Sequence, residues 1–115
     1  MRAPFSVWIA QRANVCCLSS KLLGKLGIST SDIDLYEINE AFGSMYAYCV
    51  EKLGLDLARV NVNGGAIALG HPLGATGVRQ LVTGLNALDG EKGKLLCTSM
   101  CIGSGQGAAA VFVSE

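Results

Sequence analysis

The one histidine of the chain, His71, stands in Gly70-His71-Pro72-Leu73-Gly74-Ala75-Thr76-Gly77, between a strand-like and a helix-like segment. An imidazole ordinarily titrates at about 6.5, so it can take or give a proton near neutral pH. The glycines hold this histidine on a tight backbone rather than on a helix face. A structural or merely exposed histidine is the competing reading, and the residues alone leave the two level. Strand, glycine-rich turn and helix also make up phosphate-binding loops, where backbone N–H groups face an anion. Neither the dinucleotide fingerprint nor a Gly-Lys-Ser/Thr ending is present, which argues against a nucleotide loop.

Cys101 opens Cys101-Ile102-Gly103-Ser104-Gly105-Gln106-Gly107 at a strand end. Alternating glycines there let a ligand approach the backbone, and a thiol in such a place reacts once a neighbouring base or dipole lowers its pKa. A buried strand cysteine is an equal reading for Cys101, and it is the preferred one for Cys16, Cys17, Cys49 and Cys97. Cys97 and Cys101 are four apart, which on a strand separates them by about 13 Å. With no paired Cys-x-x-Cys elements, a zinc site is not expected. Asn39-Glu40-Ala41-Phe42 marks a strand-to-helix junction, where Asn39 either caps the helix or holds a water or substrate carbonyl beside the histidine.

These residues need elements to position them. Val15, Leu18, Leu22 and Leu26 recur at helical spacing, with Gly27 placed to end the helix. A turn over 29–32 leads to a short strand over 34–38. A second helix is expected from about residue 40 to Leu53, with Met45, Cys49 and Leu53 on one face and Gly54 as its stop. A short strand over 60–62 runs into the glycine-rich segment. A third helix starts near Ala75, carries the stripe Val78, Leu81, Val82, Leu85 and Leu88, and closes at Asp89-Gly90. Strands over 95–101 and 108–113 finish the chain. This alternation predicts an α/β layer with a mixed, mostly parallel sheet and an antiparallel closing pair.

Of 115 residues, 50% are hydrophobic and 16% charged, an apolar balance for one small domain. It points to a surface buried against a partner, or to a piece of a larger core. Nine basic and nine acidic side chains cancel, so no nucleic-acid footprint is expected. No apolar run reaches the length of a membrane span. Five cysteines without a disulfide framework suit a reducing compartment. Residues 1–20 carry Arg2 and Arg12 but no acidic residue, a composition shared with mitochondrial transit peptides. An unrelated divergent stretch is the preferred reading of that segment.

Together, Asn39-Glu40-Ala41-Phe42, the run from Asn63-Gly64-Gly65-Ala66 through Gly70-His71-Pro72 to Gly77, and Cys101 to Gly107 resemble three motifs of the thiolase superfamily, in the family's order. The resemblance covers about residues 21–115, a thiolase C-terminal domain, behind a divergent segment over 1–20. Ala47-Tyr48-Cys49-Val50-Glu51-Lys52-Leu53-Gly54 and the ending Gly107-Ala108-Ala109-Ala110-Val111-Phe112 look most like 3-ketoacyl-CoA thiolases of the peroxisomal kind.

What the resemblance implies is an acyltransferase fold of two similar α/β halves, working as a dimer or tetramer. Its chemistry is the CoA-dependent cleavage of 3-ketoacyl-CoA to acetyl-CoA and a shortened acyl-CoA, or the reverse condensation. Coenzyme A is then a substrate, and no bound cofactor is expected. The expected partners are an acyl-CoA and either a thiolase N-terminal half or a further copy of the chain. Carried over by motif, His71 accepts the proton of the nucleophilic cysteine, and Cys101 shuttles the proton at the acetyl carbon. Asn39 holds a water that completes one oxyanion site with His71, and the Gly103 N–H contributes to the other. The family nucleophile belongs to the N-terminal half and has no counterpart in this sequence, so the 115-residue chain alone is expected to show no turnover. The Met-Gly-x-Gly-Pro type of stretch before the first helix is also absent, and Gly43-Ser44-Met45 departs from the usual residues. A truncated, non-catalytic subunit docking onto an intact thiolase is the alternative. Compartment stays open between peroxisome, mitochondrion and cytosol.

Overall fold

A computed structural model describes residues 6–8 and 15–114, with side chains described from Ser19 onward. Most of the divergent segment, and the side chains of Cys16 and Cys17, therefore lie outside the described residues. In chain order the elements are β1 (Ser6–Trp8), α1 (Val15–Leu26), β2 (Leu35–Ile38), α2 (Gly43–Leu53), α3 (Ala66–Leu69), α4 (Thr76–Glu91), β3 (Leu95–Gly103) and β4 (Gln106–Val113).

The strands form one sheet in the order β1-β4-β3-β2. β2 runs parallel to β3, with Leu35 beside Leu96 and Ile38 beside Ser99. β4 is antiparallel to both β3 and β1. The sheet is mixed, as expected, but its parallel part is smaller than the sequence suggested. The expected strand over 60–62 is reduced to a single parallel bridge between Val60 and Tyr36. Asn61 explains this. Its backbone is left-handed (φ 49°), and its side chain takes the place of a continuing strand. The Asn61 carboxamide accepts from Ile38 N and donates to Ile38 O, both at 2.9 Å. β1 was not anticipated at all, because three residues carry no period to read.

Two apolar clusters hold the layers together by removing side chains from water. On one face Leu22 and Leu23 of α1 and Cys49 and Val50 of α2 pack on Tyr36, Ile38, Cys97 and Val111. On the other, Leu88 of α4 packs on Leu35 and Leu96, with Leu81, Leu85 and Phe112 at the edge. Met45 and Leu53 join Cys49 against the first cluster, the α2 face the spacing predicted. The α4 stripe needs correction. Thr76, Gln80, Gly84 and Leu88 are its buried residues, while Val78 and Val82 are 66% and 53% exposed. A Cβ at Gly84 would lie 2.6 Å from two Leu96 carbons, so only glycine lets the helix come this close to β3.

Candidate active site

β2 ends where the chemistry-bearing residues begin. Asn39 continues the ladder by donating its N–H to Ser99 O at 2.9 Å. Its side chain is fully buried, and Nδ2 lies 3.3 Å from His71 Nε2, 32 residues away in sequence. Asn39 Oδ1 is also buried and has no partner among the described residues. Asn39 is not a helix cap. The α2 helix starts later than expected, with Phe42 in the capping position and no side-chain cap. The delay has a cause in Glu40, whose carboxylate is engaged elsewhere. It accepts from Asn61 Nδ2 at 3.2 Å and from Ile67 N, in α3, at 2.9 Å. The carboxylate fits only because residue 65 is glycine: a Cβ there would meet Glu40 Cδ at 2.4 Å. Glu40 thus ties the glycine-rich segment to the end of β2.

That segment delivers His71 from the other side. The half-buried imidazole places Nδ1 2.7 Å from the hydroxyl of Thr76, the first residue of α4. Thr76 is fully buried and donates to Pro72 O at 3.0 Å. Ala75 N and Thr76 N converge on the same carbonyl at 2.9 and 3.0 Å. The imidazole is therefore held at both nitrogens, by β2 through Asn39 and by α4 through Thr76.

Beneath this pair lies a buried polar layer. Gln80 Nε2 donates to Glu37 O at 3.0 Å and to Ser99 O at 3.2 Å. Arg79 meets the buried Glu37 carboxylate at 2.6 Å. Burial pushes the Glu37 carboxyl above its ordinary range, and Arg79 works against that shift. Thr76, Gln80, Glu40, Asn61 and the Glu37–Arg79 pair were not singled out in the sequence. A glutamate inside Leu35-Tyr36-Glu37-Ile38 was the available signal, since a charge in a fully buried strand requires a partner.

Cys101 sits two residues beyond Ser99 on β3, at the same end of the sheet, and is partly buried against the α1 and α2 face. Met100, its neighbour, faces α4 instead, with its sulfur 3.9 Å from where a Gly77 Cβ would be. Thus Cys101 approaches the strand end from the face opposite α4. No hydrogen bond joins it to Asn39 or His71 among the described residues. Gly103 lies further out, across a register shift in which Cys101 pairs with Gly107 but Gly103 with Gln106. Ser104 and Gly105, at φ 52° and 69°, make the two-residue hairpin turn that follows. Cys49 and Cys97 are buried, and the Cys97 thiol is pushed up to about 12 by burial, which makes it a poor source of thiolate. Among the described residues no group of histidine, cysteine, aspartate and glutamate could hold a metal ion, and no helix is long and apolar enough to cross a membrane.

The profile of one protein family, described as "Thiolase, C-terminal domain", matches residues 12–114. The chain belongs to the thiolase family. Over 95 residues it is 55% identical to the peroxisomal 3-ketoacyl-CoA thiolase of Saccharomyces cerevisiae, covering 83% of this chain and 22% of that thiolase. The human peroxisomal 3-ketoacyl-CoA thiolase is 60% identical over 92 residues, covering 78% of this chain and 22% of the relative. The chain thus spans about a fifth of the length of these curated thiolases. The fold agrees with the family. The yeast peroxisomal thiolase, a five-layered structure built from two core domains of identical topology, superposes with a TM-score of 0.89 at 43% identity, over 98% of this chain and 34% of that one. Human mitochondrial 3-ketoacyl-CoA thiolase, solved in complex with CoA, gives a TM-score of 0.90 at 38% identity, over 98% of this chain and 30% of that one.

Proposed function

We propose that this thiolase C-terminal domain supplies the acid/base half of a CoA-dependent acyl-transfer site, acting with a half that carries the nucleophilic cysteine. The observation that carries the reading is the Asn39–His71 pair at the end of β2, with His71 Nε2 at 3.3 Å from Asn39 Nδ2. In thiolytic cleavage the nucleophilic thiol gives its proton to His71 Nε2 and attacks the keto carbon of a 3-ketoacyl-CoA. The bond between that carbon and the acetyl carbon breaks, and its electron pair forms the enolate of acetyl-CoA. Cys101 protonates the enolate carbon, then takes a proton from incoming CoA. The CoA thiolate removes the acyl group, and His71 returns its proton to the leaving cysteine.

Negative charge builds on oxygen twice, in the tetrahedral adduct and in the enolate, and preorganised donors lower both barriers. The buried Oδ1 of Asn39 suits it to hold a water for one oxyanion, completed by His71. The Gly103 N–H, in the glycine-rich hairpin, serves the other. Coenzyme A and the acyl-CoA are substrates in this reading. The test is reconstitution. Adding a separately produced thiolase N-terminal half should give CoA-dependent cleavage of acetoacetyl-CoA that is lost in both His71→Ala and Cys101→Ser. Turnover that survives either substitution would sink the assignment.

A second reading has its own observation. Phe42, Ile67, Leu69, Leu73 and Val78 are all more than half exposed, and their segments border the His71 loop. Large apolar surface of this kind marks an interaction face. In this reading the chain docks as a non-catalytic subunit on an intact thiolase. Co-purification with a full-length thiolase, with its rate unchanged, would support docking over catalysis.

A further inference from the structure

We infer that Thr76 is a positioning residue that fixes His71 in the tautomer with its proton on Nδ1, leaving the Nε2 lone pair for the proton-transfer step. The inference rests on the reading of His71 as the base in the site proposed above. The argument is an accounting of protons along one chain of contacts. Pro72 O can only accept, so the Thr76 hydroxyl 3.0 Å from it, sharing that carbonyl with the N–H groups of Ala75 and Thr76, directs its proton there in this arrangement. What Thr76 Oγ1 then presents to His71 Nδ1, 2.7 Å away, is a lone pair, and Nδ1 must carry the hydrogen. At the other ring nitrogen the partner is Asn39 Nδ2, an NH₂ group that can only donate, at 3.3 Å. Nε2 must then be bare. With the hydroxyl and the carboxamide so oriented, the two ends of the ring call for the same tautomer from separate contacts.

The opposite relay needs the Asn39 carboxamide turned over and the Thr76 proton moved off Pro72 O. It would place a hydrogen on Nε2 and remove the lone pair that a thiol proton requires. Thr76 is suited to prevent this because its own position is over-determined. It is fully buried, it opens α4, and its N–H and hydroxyl both bond Pro72 O, one turn back. A hydroxyl bonded to the carbonyl one turn earlier is a common helix arrangement. Here it spends the proton that would otherwise compete for the imidazole.

The chain has one histidine, so the imidazole nitrogens of the ¹⁵N-labelled 115-residue chain can be read without assignment. At alkaline pH, where an imidazole is neutral, we expect a protonated Nδ1 and a bare Nε2. The Nδ1 proton should be protected from exchange and show a through-space contact to the Thr76 methyl. Thr76→Ser should keep the tautomer. Thr76→Val removes one hydrogen bond from the Nδ1–H form and should shift the tautomer ratio by about fivefold toward Nε2–H. A wild-type proton on Nε2, or an unchanged ratio in a natively folded Val variant, overturns the inference. Should the Val variant fail to fold, the wild-type and Ser spectra decide alone, because a bare Nδ1 in either is incompatible with it. None of these readouts involves turnover. A chain with the expected tautomer but no reconstituted cleavage would refute the catalytic reading and leave the role of Thr76 standing.

Discussion

Gln80, buried in the second turn of α4, donates to the carbonyl of Ser99 at 3.2 Å. The same Nε2 reaches Glu37 O at 3.0 Å, so one carboxamide ties β2 to β3 just before Asn39, which follows β2, and Cys101, which is still paired with Gly107 on β3. A side chain bonded to two neighbouring strands fixes their relative height, and with it the separation of the groups they carry. Gln80→Leu keeps much of the volume but removes both bonds. We expect a loss of about 1–3 kcal/mol, read as a lower urea midpoint with an unchanged slope.

Glu37 and Arg79 form a pair whose two halves differ in consequence. The carboxylate is almost fully buried, and Arg79 Nε and Nη2 are buried without a partner among the described residues. Arg79→Met strands a buried charge and should cost about 3–5 kcal/mol. The double substitution Glu37→Leu with Arg79→Met removes the desolvation of both groups. It should restore stability to within about 1 kcal/mol of wild type or exceed it. A double variant as unstable as the single one would show that the pair does more than neutralise itself.

Two carboxylates should bend the pH dependence of stability in opposite senses. Burial raises Glu37 above its ordinary 4.5, with Arg79 opposing. Its contribution is full below 4.5 and is lost as pH rises through the folded value, because the folded chain keeps a proton that the unfolded chain has released. Asp34 accepts the N–H groups of Leu95 and Lys94, at 2.8 and 2.7 Å, and these hold its carboxyl below 3.8. Its contribution is full above 3.8 and is lost as pH falls through the lower folded value. Urea midpoints measured from acid to neutral pH should show Glu37→Gln flattening the decline on the upper side. Asp34→Asn should flatten the decline on the lower side.

The α4 helix shows both how far the sequence could be read and where it stopped. Its existence, its start beside the His71 loop and the apolar character of one side follow from the spacing of Leu81, Leu85 and Leu88. The buried line, however, runs through Thr76, Gln80, Gly84 and Leu88, three of which are not large apolar residues. Apolar periodicity cannot find a face whose work is to bond strand-end carbonyls and to approach Leu96 closely. The four-residue α3 escaped for a related reason: Glu40 accepts an N–H of its first turn from 27 residues away. β1 rests on pairing with β4, at the far end of the chain. The glycine turn and the helix that follow from Gly70 were legible because that backbone needs particular residue types locally, whereas the expected strand before them is only a single bridge at Val60. The resemblance placed Asn39 beside His71 through a shared water, but the direct 3.3 Å contact between them could come only from the fold.

The exposed apolar side chains give a prediction separate from chemistry. Ile67 and Leu73 are 72% and 80% exposed, so little folding energy depends on them. Ile67→Asp with Leu73→Asp should leave the urea midpoint of the isolated chain almost unchanged, within about 0.5 kcal/mol. The same pair should abolish association with a thiolase N-terminal half in sedimentation velocity, because a buried unpaired carboxylate opposes docking. Undiminished association would place the interface elsewhere.

Asn39 offers the sharpest test of the proposed site. If Asn39 Oδ1 holds the water that completes one oxyanion site with His71, Asn39→Ala removes the anchor of that donor water, which matters as charge develops and less in the ground state. In the reconstituted system kcat and kcat/KM should then fall together by about 10²–10³. A rise in KM with kcat unchanged would instead mean that Asn39 holds the substrate equally in both states. The fully buried side chain also makes Asn39→Ala a packing change, so Asn39→Asp serves as the companion. It keeps the shape but replaces the NH₂ group by an acceptor and sets a negative charge beside the developing oxyanion. Asn39→Asp should therefore be no faster than Asn39→Ala despite its better fit. A largely active Asn39→Asp would show that the NH₂ group and its bond to His71 are not needed for the step.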